Sequence, residues 1–324
     1  MPRLRAAAGL LLVAAVTAPA FAPAVAEIPK ADWSACIRGE LSSRKIDPNQ
    51  RIGACNRLLQ NGETNPGDAG AILAARAAAH NDLRQYAEAL QDIESALAQN
   101  TRSDAWEFIY RVMGQAQSGL RNFAAAEVAF QQASTYVEAD GWSWDRLGNA
   151  RMQQGKYREA EGDYRKALEL NPEYAELWSD TADSLFAQGR FAEAAPLYTK
   201  AIDLANGQSA WDSVFRYLAT AGAEPAAPDQ LRKAAGAWAE EESYSAIAGR
   251  LLAGAIGEAE LRAGIGALAA RDGRPEDAEF WIDFALGQRD RIAGSLETAA
   301  AYLRQAAATG SVDAVYLNAA QFAP

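Results

Sequence analysis

Histidine occurs once in 324 residues, at His80, and cysteine twice, at Cys36 and Cys55. A single imidazole leaves little acid–base capacity near neutral pH. A closed zinc site needs four soft or borderline donors. These three residues cannot supply them, and His80 stands 25 residues beyond Cys55. No G-x-S-x-G nucleophile turn, no phosphate-binding G-x-x-x-x-G-K and no G-x-G-x-x-G after a strand occurs. Asp180 and Asp183, and the run Glu240 to Glu242, are acidic pairs of a kind any acidic chain contains, and they single out no catalytic set. No catalysis, metal or cofactor is therefore expected.

Positive charge is also scarce. Lys and Arg number 31 against 42 Asp and Glu, a net charge of -11. A field of that sign repels nucleic acid and anionic membranes, so the expected partners are neutral or basic. There is no sustained alternation of apolar and polar residues and no Asn-Gly turn between apolar runs, which leaves no strand signal.

One apolar run is present, at the beginning. Arg3 and Arg5 precede an uncharged stretch from Ala6 to Ala18, and Ala24-Val25-Ala26 then forms an A-x-A cleavage signal. The run is broken by Pro19 and Pro23 and is shorter than the ~20 residues that span a bilayer. Residues 1–26 read as a cleaved export signal, with periplasmic delivery, no cysteine for a lipid anchor and a soluble mature chain from Glu27. Cleavage removes Arg3 and Arg5 and no acid, taking the charge from -11 to -13. In an exported protein, Cys36 and Cys55 read as one disulfide.

Residues 141–208 contain one 34-residue pattern written twice. The first copy has Trp144, Leu147, Gly148, Gly155, Tyr157, Ala160, Tyr164, Ala167 and Pro172. The second has Trp178, Ala182, Leu185, Gly189, Phe191, Ala194, Tyr198 and Ala201, with Thr181 in place of Leu and Asn206 in place of Pro. Small residues at Gly148, Ala160 and Ala167 permit close approach of two short helices, and the aromatics fill the space around them. Glycines at 155 and 189 end a helix before an aromatic restarts the next. The stretch closely resembles the tetratricopeptide repeat family. Arg151 departs from the family's aromatic at its position.

The resemblance implies an all-α, right-handed α–α solenoid, whose length reports the number of stacked pairs. Counting outward gives four repeats over 70–208, at 70–103, 107–140, 141–174 and 175–208. Before them, 27–69 reads as a degenerate capping repeat, with helices over 31–41 and 49–60 and the disulfide stapling an outermost pair that has one neighbour. After them, 209–324 is irregular: helices are expected over 210–220, 229–241 and 244–254, a repeat-like pair over 259–292, and a closing pair over 296–308 and 312–321. The stretch 209–258 fits either two irregular repeats or a spacer.

The family resemblance further implies adaptor work, with a protein or extended peptide held in a concave groove. First-helix positions 2, 5, 6 and 9 face that groove in the family. They select Phe108, Arg111, Val112 and Gln115 from one repeat and Trp142, Asp145, Arg146 and Asn149 from the next. Asn149 would bond a peptide backbone, Arg111 and Arg146 a carboxylate, and Trp142 would offer an apolar platform. Trp144 and Trp178 are expected in the core, and Glu161 on the surface. A scaffold subunit of an envelope polysaccharide machine is the second reading, and would want a row of groove aromatics such as Trp142, Phe108 and Phe186. A helical glycan-cleaving enzyme is the third, and would need two carboxylates across a cleft.

Overall fold

A computed structural model describes residues 30–37, 46–61, 68–99, 105–136, 141–221, 223–311, 313, 315, 317 and 318. The export signal expected over 1–26 lies outside these residues. Sixteen helices, and no strand, are found among them: α1 (Lys30–Ile37), α2 (Pro48–Asn61), α3 (Asp68–Asp82), α4 (Tyr86–Leu97), α5 (Trp106–Gly119), α6 (Phe123–Ala133), α7 (Gly141–Met152), α8 (Tyr157–Leu170), α9 (Ala175–Ala187), α10 (Phe191–Leu204), α11 (Ala210–Thr220), α12 (Ala227–Ala237), α13 (Tyr244–Leu252), α14 (Glu258–Asp272), α15 (Pro275–Ile292) and α16 (Leu296–Ala308). None of the described helices is long and apolar enough to cross a membrane. Successive helices pair from α1/α2 to α9/α10, and each pair packs on the next, as in an α–α solenoid.

The pairs close because a glycine or alanine of one helix lies under an aromatic of the other. A methyl group added at Gly148 would stand 2.7 Å from the Tyr164 ring, and one at Gly114 would stand 2.6 Å from Phe130. Ala89, Ala126, Ala160 and Ala194, at one repeat offset, are all fully buried. The turns within pairs use left-handed residues, Arg84, Arg121, Gly155 and Gly189. Glycine takes that conformation without a Cβ penalty.

A polar bracket also repeats at 34 residues. Glu127 of α6 accepts from Arg151 (3.0 Å), Gln154 (2.9 Å) and Lys156 (2.6 Å) of the following pair. One step on, Glu161 of α8 accepts from Gln188 (2.9 Å) and Arg190 (2.7 Å), and from Arg165 on its own helix (2.8 Å). Glu161 is thus 5 % exposed rather than a surface residue. The turn of the next pair lands on it, an event that helix periodicity alone does not show. Arg151, the departure from the family's aromatic, replaces packing with charge by also reaching Asp163 at 2.6 Å. Trp144 and Trp178 are half-buried, and Trp144 packs against the core formed by Ala126, Phe130, Leu147 and Ala150. Lys166 sits 3.9 Å over the Trp144 ring, and the Trp178 indole donates to the Pro172 carbonyl.

At the N-terminal end the outermost pair is stapled by the Cys36–Cys55 disulfide. Arg51, almost fully buried, donates to the Cys36 carbonyl at 3.0 Å, and Arg57 grips Asp32 through a two-pronged contact. A terminal pair has a neighbour on one side only, which leaves apolar surface uncovered, and these cross-links offset that loss.

Beyond α10 the packing changes character. The N-terminal half has several small cores, whereas one core runs from Ala182 to Leu317 and includes Phe186, Phe215, Trp238, Phe280, Trp281 and Phe284. α11 packs on α13 and α13 on α15, so 209–258 is an integral part of this core. α15 packs more extensively on α16 than on α14. The helices expected over 259–292 are α14 and α15, which pack on each other, and α15 also closes on α16. The helix expected over 312–321 falls largely outside the described residues, with helical Asp313 and Val315 followed by a turn at Leu317 and Asn318.

This C-terminal segment returns to the middle of the stack. The Tyr157 hydroxyl donates to the Val315 carbonyl, and Asn318 donates to the Ala187 carbonyl at 2.8 Å. Leu317 is fully buried, and Trp281 donates to Asp313 at 2.9 Å. Arg121 and Glu276 approach to 3.9 Å.

Candidate functional site

The first helices α7, α9 and α11 run along one face and form a cleft in two connected parts. The outer part, about 280 Å³, is lined by Trp142, Asp145, Arg146, Asn149, Tyr174 and Asp180, among others. The inner part, about 480 Å³, is lined by Gln153, Ser179, Asp183, Trp211, Asp212 and Asp313, among others. Asn149, Glu176 and Asp180 border both.

Local structure explains these placements. Offsets 2, 5, 6 and 9 of the repeat, which selected Trp142, Asp145, Arg146 and Asn149, give Glu176, Ser179, Asp180 and Asp183 one repeat later, all on the cleft. In the next helix the wall is made instead by Ser209, Trp211 and Asp212, because Asn206 and Gly207 are both left-handed and α11 starts afresh. Ser209 caps that helix by accepting from the Asp212 N–H at 3.2 Å. This holds Asp212 in the first turn, where a carboxylate faces the positive end of the helix.

The sequence-selected residues divide into two groups. Trp142, Asp145, Arg146 and Asn149 come together around the outer cleft. Phe108, Arg111 and Gln115 line neither part. Phe108 packs against the first two cores, Arg111 stacks over Phe108 at 5.0 Å and meets Glu107 at 3.3 Å, and Val112 is fully buried.

Within the outer cleft the roles differ from those expected. The Asn149 amide donates to the Asp145 carbonyl and carboxylate, both at 3.2 Å, and its oxygen accepts from Tyr164 at 3.2 Å. The amide therefore organises the helix pair. Arg146 meets Asp145 at 3.6 Å and lies 5.9 Å from the Trp142 ring, so its charge is engaged. Trp142 is 47 % exposed, with Tyr174 edge-on at 5.8 Å. The row expected from Trp142, Phe108 and Phe186 does not form, because Phe186 is fully buried and Phe108 packs inward.

Carboxyl groups dominate the cleft, including Asp180 and Asp183, which the sequence offered no reason to single out. Asp183 accepts from the Tyr198 hydroxyl (2.6 Å) and the Trp211 indole (3.0 Å). Burial pushes Asp145 above the ordinary carboxylate range, against a hydrogen bond shared with Asp180 and the Arg146 charge. Burial likewise raises Asp212, with Ser179 and Ser209 opposing it, and raises Asp313, with the Trp281 indole opposing it. Among the described residues there is no cluster of His, Cys, Asp and Glu arranged to hold a metal. A larger recess, about 780 Å³, lies between α10 and the end of α11. Its two arginines are already satisfied, Arg190 by Glu161 and Glu193 and Arg216 by Glu224 and Gln230, so the cleft is the better candidate.

The repeated helix pairs have a counterpart among known families, since the model of the tetratricopeptide repeat matches residues 146–209. This stretch is built of tetratricopeptide repeats, and the chain has the tetratricopeptide solenoid fold. The C-terminal part of a tetratricopeptide repeat-containing protein from Cytophaga hutchinsonii superposes with a TM-score of 0.50 at 15% identity, covering 89% of this chain and 98% of that one. YrrB, a tetratricopeptide repeat protein with an unusual peptide-binding site, superposes with a TM-score of 0.50 at 17% identity, covering 59% of this chain and 95% of its own. Among curated proteins there is no match. At these identities the likeness concerns the solenoid fold, and the cleft of this repeat protein is argued from its own residues.

Proposed function

We propose that this chain is a non-enzymatic scaffold of the cell envelope that holds a protein or extended peptide against the face formed by α7, α9 and α11. The observation that carries the reading is the continuous cleft, whose outer and inner parts share Asn149, Glu176 and Asp180 and thus run across three successive first helices. A segment of several residues can lie along such a path, with Trp142 and Tyr174 at its outer end as apolar anchors. Tetratricopeptide solenoids serve as protein-interaction scaffolds, which supports the class of function by analogy of fold. Export through residues 1–26 and the disulfide at Cys36 and Cys55 together favour an oxidising compartment.

The test joins location to binding. The chain carrying a C-terminal tag is recovered from the periplasm, its N-terminal residue is determined, and its co-purifying partner is identified. Capture is then repeated with Trp142→Ala and Tyr174→Ala together. The expected N-terminus is Glu27, and the expected capture falls at least tenfold while helicity and melting are retained. Undiminished capture by the folded variant would remove the cleft from the binding surface.

A further inference from the structure

We propose that the inner cleft receives a basic side chain, lysine or arginine, from the bound segment. The inference rests on the reading of this face as a partner-binding surface and names the chemistry of its ligand.

Two observations point the same way. The first is charge. Asp145, Glu176, Asp180, Asp183, Asp212 and Asp313 border the cleft, and among the described residues the one cation on its wall, Arg146, lies at the outer end against Asp145. The second is hydrogen bonding, and it is independent of charge. Asp212 is 4 % exposed, and its Oδ1 has no hydrogen-bond partner. Oε1 of Gln153, on the same cleft, is also buried without a partner. Both orphaned atoms are acceptors, so only a donor can satisfy them.

Buried acceptors left unpaired cost stability, and native proteins keep few of them. A ligand that supplies several N–H groups and a positive charge answers both observations at once. An ammonium brings three such donors and a guanidinium five. The flat wall of Trp211 beside Asp212 suits the stem or the plane of either group. A purely apolar segment would leave Asp212 and Gln153 as they are, and an acidic one would also meet repulsion from the surrounding carboxyls.

The location of Asp212 adds a prediction that a merely structural carboxylate would not meet. Its desolvation is only partly offset in the free protein, by Ser179 and Ser209, and Oδ1 stays unpaired, so replacing it by the isosteric amide should leave melting unchanged or raise it. The same replacement should weaken the ligand, because a charge-assisted bond becomes a neutral one. Stability and binding then move apart, as they do at sites kept for function.

The experiment uses the full chain without its export signal, labelled for NMR at the tryptophan indoles. Two capped seven-residue alanine peptides are titrated, identical except that one carries a central arginine and the other citrulline, which keeps the shape and lacks the charge. The arginine peptide should shift the Trp211 indole, and the citrulline peptide should bind at least about tenfold more weakly. Asp212→Asn should bring the arginine peptide to the citrulline level with melting unchanged or raised. Equal binding of the two peptides, no shift at Trp211 at millimolar arginine peptide, or an unaffected Asp212→Asn would each overturn the proposal. Trp142→Ala separates the two readings. If it abolishes binding of both peptides while charge makes no difference, the groove reading survives and the basic-ligand proposal falls. If it leaves charge-selective, Asp212-dependent binding intact, the basic site stands and the outer anchor does not.

Discussion

Replacing one glycine by alanine should have opposite consequences at two positions fourteen residues apart. At Gly162, on the exposed face of α8, nothing lies within 4 Å of an added methyl. Only helix propensity then acts, and Gly162→Ala should stabilise by about 1 kcal/mol. At Gly148 the same methyl would stand 2.7 Å from Tyr164 Cε1 and 2.8 Å from Cδ1. Ordinary contact requires the ring to retreat by about 1 Å, yet interiors have no free volume to offer. Tyr164 is fully buried, and its hydroxyl bonds Asn149. Overpacking of that kind costs about 1–3 kcal/mol. After the same propensity gain, Gly148→Ala should be neutral to about 2 kcal/mol destabilising. The two variants should thus differ by about 1–3 kcal/mol, which is the overpacking cost alone. Urea denaturation followed by circular dichroism reads the midpoints, and a coupled pair with Tyr164→Leu should recover part of the loss. An upward shift for Gly148→Ala equal to that of Gly162→Ala would mean that the aromatic does not close over the glycine, and the helix-pair geometry would be wrong.

Ala160→Leu should destabilise by about 1–3 kcal/mol through overpacking, and Glu161→Leu should also destabilise, because it removes the buried acceptor that Gln188, Arg190 and Arg165 share; a neutral Glu161→Leu in the same urea series would refute the bracket between pairs. Reducing Cys36–Cys55 should free two thiols, add two hydrogens to the mass and cost about 3 kcal/mol; full thiol labelling before reduction would refute the staple. Burial pushes Asp163 up to about 6, outweighing its pairing with Arg151. Its folded form holds a proton more tightly than the unfolded carboxyl at 3.8, so the stability it contributes is fully present below 3.8 and is lost as pH rises through 6. The melting difference between wild type and Asp163→Asn should therefore shift in favour of wild type as pH falls from 7 to 4, and a flat difference would refute it.

The sequence announced the helix pairs from 107 to 208 because close approach demands small residues and aromatics at set spacings. Gly114, Gly148, Ala126 and Ala160 could not be exchanged for bulk. The disulfide was legible for a different reason, as the sole pairing open to two cysteines in a chain whose sequence reads as exported. The phase of the pairs after α10 was hidden. Ile265, Gly266, Gly273 and Ala285 mark α14 and α15, which do pack on each other, while the closer contact of α15 with α16 is decided by bulky residues such as Trp281 and Phe284 meeting a core drawn from α9 to Leu317. Half of the candidate site followed from register, as Trp142, Asp145, Arg146 and Asn149 converge. Applying the same offsets once more would have found Glu176, Ser179, Asp180 and Asp183. Asp212 and Asp313 could not be found that way, since one depends on a restarted helix and the other on a tail returning from far along the chain. Nor does a local pattern reveal that Asn149 is committed to Tyr164 and Asp145, or that Phe108 turns inward.

A stack of helix pairs that touch only their neighbours is a spring, free to stretch or wind by sharing a small rotation over many joints. Here Tyr157 grips the main chain at Val315, Asn318 grips Ala187, and Arg121 faces Glu276. These ties act like a brace across the coil. Lengthening the span from α6 to α16 by even one joint would have to break them together with the seat of Leu317. The aperture between α7 and α11 should accordingly behave as a fixed gauge rather than a jaw, with what it admits decided before any visitor arrives.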